Sequence, residues 1–96
     1  MIDEIIFDER AWIDIEYLLP DNEETRRTIL DDFIWFNGRP KKYKNVNKKV
    51  DDYIRHLKLK AASKISITHN LSEVFGEIDI ESIESCLKSR FCKHSE

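Results

Sequence analysis

The sequence predicts a mainly α-helical fold: a compact bundle of three long helices with one or two short ones. Three observations predict it. Apolar residues recur at helical spacing in three separate stretches, and those stretches are flanked by cap residues. Only two glycines and two prolines occur, too few for the many turns of a sandwich or barrel of short strands. Aromatic residues reach 10% of the chain, so a charged fraction of 36% signals a charged surface rather than disorder. The 96 residues make one domain, 1–96, with no repeat, low-complexity tract or linker.

The first twenty residues fit two elements. Trp12, Ile15 and Leu19 share one face of a helix that Asp8 could cap. Ile13, Ile15 and Tyr17 alternate with Asp14 and Glu16, which suits a strand that could pair with residues 2–7. The helix is the chosen reading, with a small N-terminal β element (an α+β fold) as the rival. Pro20 closes the element either way.

A helix is expected over about 22–36, with Asp21 as N-cap and Glu24 reaching back as in a capping box. Ile29, Leu30, Phe33 and Ile34 form its stripe, and Asn37-Gly38 supplies a left-handed stop before Pro40. A second helix is expected over about 47–63, capped by Asn47, with Val50, Tyr53, Ile54, Leu57 and Ala61 inward and its lysines and arginine mostly off that stripe. Asn70 and Glu73 bracket a short helix ending at Gly76. The last helix, about 80–92, is capped by Asp79; Ile78 staples to Ile83, and Ile80, Ile83, Leu87 and Phe91 face inward. Ile65-Ser66-Ile67-Thr68 has β character.

Charge is laid out in blocks. Residues 1–37 hold 11 acids and 3 bases, net −8; residues 38–64 hold 10 bases and 2 acids, net +8; residues 65–96 hold 6 acids and 3 bases, net −3. The basic block can pair with the acidic block inside the domain, or each can meet an external partner.

Several activities are set aside on chemistry. Residues 71–88 form a loose helix-turn-helix pattern. Its would-be recognition helix opens with Asp79, Glu81 and Glu84, which repel phosphates. Gly76-Glu77-Ile78-Asp79 resembles part of a calcium loop, but Leu71 and Phe75 cannot ligate and Ser82 stands where a bidentate Glu is needed. His69, Cys86, Cys92 and His94 lack the close pairing of zinc ligands, and the two cysteines read as free thiols rather than a disulfide. His56 follows Asp52 by four residues, so an intrahelical pair accounts for it, and Asp31-Asp32 and Asp51-Asp52 read as solvated helix faces. No phosphate loop or nucleophile elbow is present. Neither a catalytic residue, a metal nor a cofactor is expected.

The leading expectation is a cytoplasmic, acidic protein-binding module. It would inhibit or regulate a protein with a basic surface, one that handles nucleic acid, in the manner of small phage, mobile-element or immunity-type proteins. The Ile and Lys bias and the three alanines fit an AT-rich coding sequence of that origin. Its contact residues would be Trp12, Asp14, Glu16, Asp31, Asp32, Trp35 and Phe36, carboxylates interleaved with large rings. The alternative is a nucleic-acid-binding regulator using Arg39, Lys41, Lys42, Tyr43, Lys44, Lys48 and Lys49, where cations surround a stacking ring. A third is a homodimer assembled through exposed aromatics. No stretch is apolar enough for a membrane span.

Overall fold

The computed structural model describes Phe7 and residues 9–39, 43–63 and 71–91. Among these, all regular structure is helical: α1 (Glu9–Glu16), α2 (Glu23–Asn37), α3 (Val46–Ala62), α4 (Leu71–Gly76) and α5 (Ile80–Phe91). This is the mainly α bundle that the periodicities predict. The strand reading of residues 13–17 is corrected, since most of that stretch lies in α1. Ala11, Ile15 and Leu19 recur every four residues and are all buried, a helical row that the alternation of Ile13, Ile15 and Tyr17 obscures. The proposed pairing partner in residues 2–6, Asp8, the 65–68 stretch and Asn70 lie outside the described residues.

Three boundary details differ from expectation. Helix α2 is capped by Asn22, not Asp21: the Thr25 N–H donates to Asn22 Oδ1 at 2.9 Å, and the Asp21 side chain is fully exposed. Helix α3 is capped by Asn45, not Asn47, with the Lys48 N–H donating to Asn45 Oδ1 at 2.9 Å. Both true caps have extended backbone, which frees the side chain to reach its third neighbour. The end of α2 needs no left-handed residue. Gly38 has φ −93° and donates its N–H to the Ile34 carbonyl at 3.0 Å. For α5 the expected cap holds: Asp79 accepts from the Ser82 N–H at 3.2 Å and from its hydroxyl at 2.8 Å. Those Ser82 bonds, the hydroxyl's first, hold the Asp79 carboxyl below the usual carboxylate range.

Packing is organised around α3, which lies against α4 and α5, while α1 leans on α5 and α2 on α4. Val50, Tyr53, Ile54 and Leu57 of α3 meet Ile83 and Leu87 of α5, Phe75 of α4 and Ile29, Phe33 and Phe36 of α2 in one core. Ile78 and Ile83, the expected staple, are both buried in it. At its centre Phe7, Phe33, Phe36 and Tyr53 form a cluster of rings with centroids 5.1–6.4 Å apart. The offset and edge-on contacts suit aromatic quadrupoles. Helices α1 and α2 meet through Trp12 on Phe33 (5.6 Å) and through Arg26, whose guanidinium donates to Glu16 at 2.8 Å. A groove runs between them.

Candidate functional site

The groove between α1 and α2 exposes large apolar side chains. Ile13 is 52% exposed, Tyr17 86% and Ile34 58%, all far from the burial expected of such side chains. At one end lies a depression of about 380 Å³ lined by Phe7, Trp12, Ile13, Leu30, Phe33 and Ile34, closed by Asn37. Trp12 and Leu30 continue into a second depression bordered by Glu16, Asp21, Glu23 and Asp31 with Arg26 and Arg27. Ile13, Glu16 and Tyr17 border a third. Arg26 is held by Glu16 and lies 3.9 Å from Asp21, so the remaining exposed charge on this rim is acidic but for Arg27. The surface is therefore apolar at one end and acidic at the other.

The α2 helix produces this face by carrying two apolar rows. Ile29, Phe33 and Phe36 point into the core, and Leu30 and Ile34, one position on, line the groove. The expected single stripe of Ile29, Leu30, Phe33 and Ile34 is thus split between core and surface.

The sequence-derived contact residues divide. Trp12, Glu16 and Asp31 are brought together at the groove. Asp14 faces α5, where its carboxylate accepts from Arg90. Asp32, Trp35, Arg39 and Tyr43 lie on the other side of α2, toward α3. There the His56 Nε2 donates to Asp32 Oδ2 at 2.7 Å, and Lys60 Nζ stands 3.7 Å from the other carboxylate oxygen. The expected His56–Asp52 pair is corrected: Asp52 accepts instead from the Tyr43 hydroxyl at 2.7 Å. Partial burial, then that bond and the Asp52 charge, push the Tyr43 phenol well above its ordinary pKa of 10.0. Trp35, 55% exposed, stacks on His56 at 5.8 Å, with the Arg39 guanidinium 4.8 Å from the Trp35 ring centre.

Three expected contact residues are not available to a partner. Phe36 is buried in the core, and the Asp32 side chain is only 9% exposed. Lys49 is 3% exposed: its ammonium donates to Asn37 Oδ1 at 3.0 Å and sits 4.7 Å from the Phe7 ring centre and 5.9 Å from that of Tyr43. A lysine here falls in the row of Tyr53 and Leu57, at i+4 and i+8, so it shares their buried face. Lys44 and Lys48 are exposed at the start of α3, while Lys41 and Lys42 lie outside the described residues. The basic and acidic blocks thus meet inside the domain at Asp32, His56 and Lys60.

Asn37 has a role the sequence did not disclose. Its Oδ1 accepts from the Phe7 N–H at 2.9 Å, and its Nδ2 donates to the Phe7 carbonyl at 3.0 Å. One side-chain amide thereby takes up both polar groups of one backbone residue. Ile13 and Ile34 were missed as surface groups for a different reason: each fits an apolar pattern, and only the placing of α1 against α2 leaves it outside.

Among the described residues, no group of three or more His, Cys, Asp or Glu side chains is placed to hold a metal ion. Cys86 is a free thiol, pushed up in pKa by burial first and by the Asp14 charge second. No described helix is long and apolar enough to cross a membrane. The turn between α4 and α5 spans three residues, Glu77 to Asp79, and the exposed groups at the start of α5 include the carboxylate of Glu81. The fold is that of a mainly helical bundle; compared with protein-family models, curated proteins and solved structures, the chain finds no match.

Proposed function

We propose that this chain is a small non-catalytic protein-binding module, a regulator or inhibitor that sets its α1–α2 groove against a partner with a basic surface. The supporting observation is the half-exposed pair Ile13 and Ile34 in an apolar depression, which Trp12 and Leu30 join to a neighbouring depression bordered by Asp21, Glu23 and Asp31. Clustered exposed apolar groups with a polar rim are the usual anatomy of a recognition surface. Trp12 supplies a ring at its centre, the residue type that most often dominates binding energy. The acidic rim favours Lys and Arg on the partner and speeds encounter with it. A protein that handles nucleic acid meets that description, because carboxylates along a helix imitate a row of phosphates.

The test is capture from host lysate with nuclease-treated and untreated samples, comparing the wild-type chain with Ile34→Glu and with Asp31→Lys. The reading expects a stoichiometric protein that survives nuclease and is lost from both variants, while Leu59→Ser, a change at an exposed apolar residue of α3, retains it. Recovery of nucleic acid, or of proteins released by nuclease, would instead support the nucleic-acid-binding alternative. A capture unaffected by the groove variants would overturn the assignment of the surface.

A further inference from the structure

Five asparagines occur in the chain, and Asn37 alone precedes a glycine. We propose that Asn37-Gly38 is a deamidation site held latent by the native fold, and that its conversion undoes the anchorage of Phe7 at the apolar end of the α1–α2 groove. The proposal goes beyond the docking reading and stands without it.

The chemistry is set by neighbouring atoms. The Gly38 backbone nitrogen loses its proton to a base and attacks the Asn37 side-chain carbonyl carbon. The new C–N bond closes a succinimide, and the amide nitrogen leaves as ammonia. Water then opens the ring at either carbonyl, giving aspartate or isoaspartate. Glycine is the most permissive successor because it has no Cβ to crowd the attack.

The folded structure withholds both reactants. The Gly38 N–H is engaged with the Ile34 carbonyl at 3.0 Å. The Asn37 amide makes three hydrogen bonds, two with the Phe7 backbone and one with the Lys49 ammonium, all at 2.9–3.0 Å. Asn37 is also the last residue of α2, and helical backbone aims the following nitrogen away from the side chain. Ring closure therefore waits on local opening of this helix end, so its rate reports that opening.

The consequence lies in the product. Aspartate at 37 has no N–H to give the Phe7 carbonyl and presents an oxygen to an oxygen there, although it keeps a charge partner in Lys49. Isoaspartate adds a backbone atom and displaces the side chain altogether. Aspartate thus keeps an oxygen for the Phe7 N–H but loses the bond to the Phe7 carbonyl, and isoaspartate loses both, at a residue whose ring stacks on Phe33 at 6.1 Å and lines the groove.

The experiment incubates the purified chain at mildly alkaline pH, native and in concentrated guanidinium, and follows the peptide spanning Asn37-Gly38 by mass and isoaspartate content. Expected is conversion at least about tenfold slower in the native chain. The Asn22-Glu23 and Asn45-Val46 peptides serve as internal controls. Equal native and denatured rates would overturn the proposal. Gly38→Ala, whose added Cβ meets the Ile34 carbonyl oxygen at an ordinary 3.4 Å, is expected to suppress the denatured-state reaction. The isoaspartate form of the wild-type chain, isolated after conversion, is expected to show faster hydrogen exchange at the Phe7 amide than unconverted chain. Unchanged exchange there would also overturn it.

Discussion

The imidazole of His56 on α3 donates to the carboxylate of Asp32 on α2 across 2.7 Å, with both side chains at most 14% exposed. Facing an acceptor-only carboxylate, Nε2 must carry its proton. Trp35 and Phe36 flank the ring at 5.8 and 5.2 Å, so the pair sits in a partly dry seam between the two helices. Asp32→Ala is expected to destabilise the fold by about 1–3 kcal/mol, because it strands a buried donor. A double-mutant cycle with His56→Ala, read by urea unfolding, is expected to give a coupling of about 0.5–3 kcal/mol. Additive single effects would show that the contact contributes nothing.

Tyr53 offers the opposite case. It is fully buried, and its hydroxyl has no hydrogen-bond partner among the described residues; burial first, then the charge of Asp32, drives its pKa far up. Removing an unpartnered hydroxyl while keeping the ring costs nothing in hydrogen bonds. Tyr53→Phe is expected to leave stability unchanged or raise it by about 1 kcal/mol, whereas Tyr53→Ala is expected to lose about 3–5 kcal/mol by opening a cavity among Phe7, Phe33 and Phe36. Thermal and urea unfolding of the two variants checks this.

The alkaline limb of stability is expected to depend on Tyr43. Its folded pKa lies above the unfolded value of 10.0, chiefly through burial and then through the Asp52 bond. Its contribution is therefore complete below about pH 10 and lost as pH rises through the folded value. An absorbance titration of phenolate should show two of the three tyrosines, Tyr43 and the buried Tyr53, ionising late in the wild type and only Tyr53 doing so in Tyr43→Phe. Asp52→Asn should move the Tyr43 step to lower pH.

Cap identity can be read by substitution. Asn22→Ala and Asn45→Ala are each expected to cost about 1 kcal/mol, and Asn47→Ala to stay within about 0.5 kcal/mol. A cost at Asn47 comparable to that at Asn45 would contradict the observed start of α3.

What the sequence disclosed and what it hid follow from the range of the forces involved. Helices α2, α3 and α5 were legible because Ile29 and Phe33, Val50 and Ile54, and Ile83 and Leu87 repeat at the period of a helix, a local property. The starts of α2 and α3 slipped by one or two residues because cap-forming residues stand close together: Asp21 beside Asn22, and Asn45 two before Asn47. Only the entry of the chain decides which one caps. The partner of His56 was misread since an acid four residues away on one helix is visible in sequence and one 24 residues away on another is not. Of the groove, Trp12, Glu16 and Asp31 were legible by residue type. Ile13 and Ile34 were not, because an apolar residue is read as core until the placing of its neighbours is known. Lys49 was read as a surface cation although its place in the row of Tyr53 and Leu57 already set it inside.

The bond between Asp14 and Arg90 joins residues 76 positions apart, and α1 leans on α5 beside it. Eight residues are too few for α1 to hold a helix unaided. One wall of the groove is therefore kept upright by an element made much later in translation. On the ribosome, the chain has no finished α1–α2 groove until α5 has cleared the exit tunnel. A message cut short before Arg90 yields a chain whose α1 lacks this support.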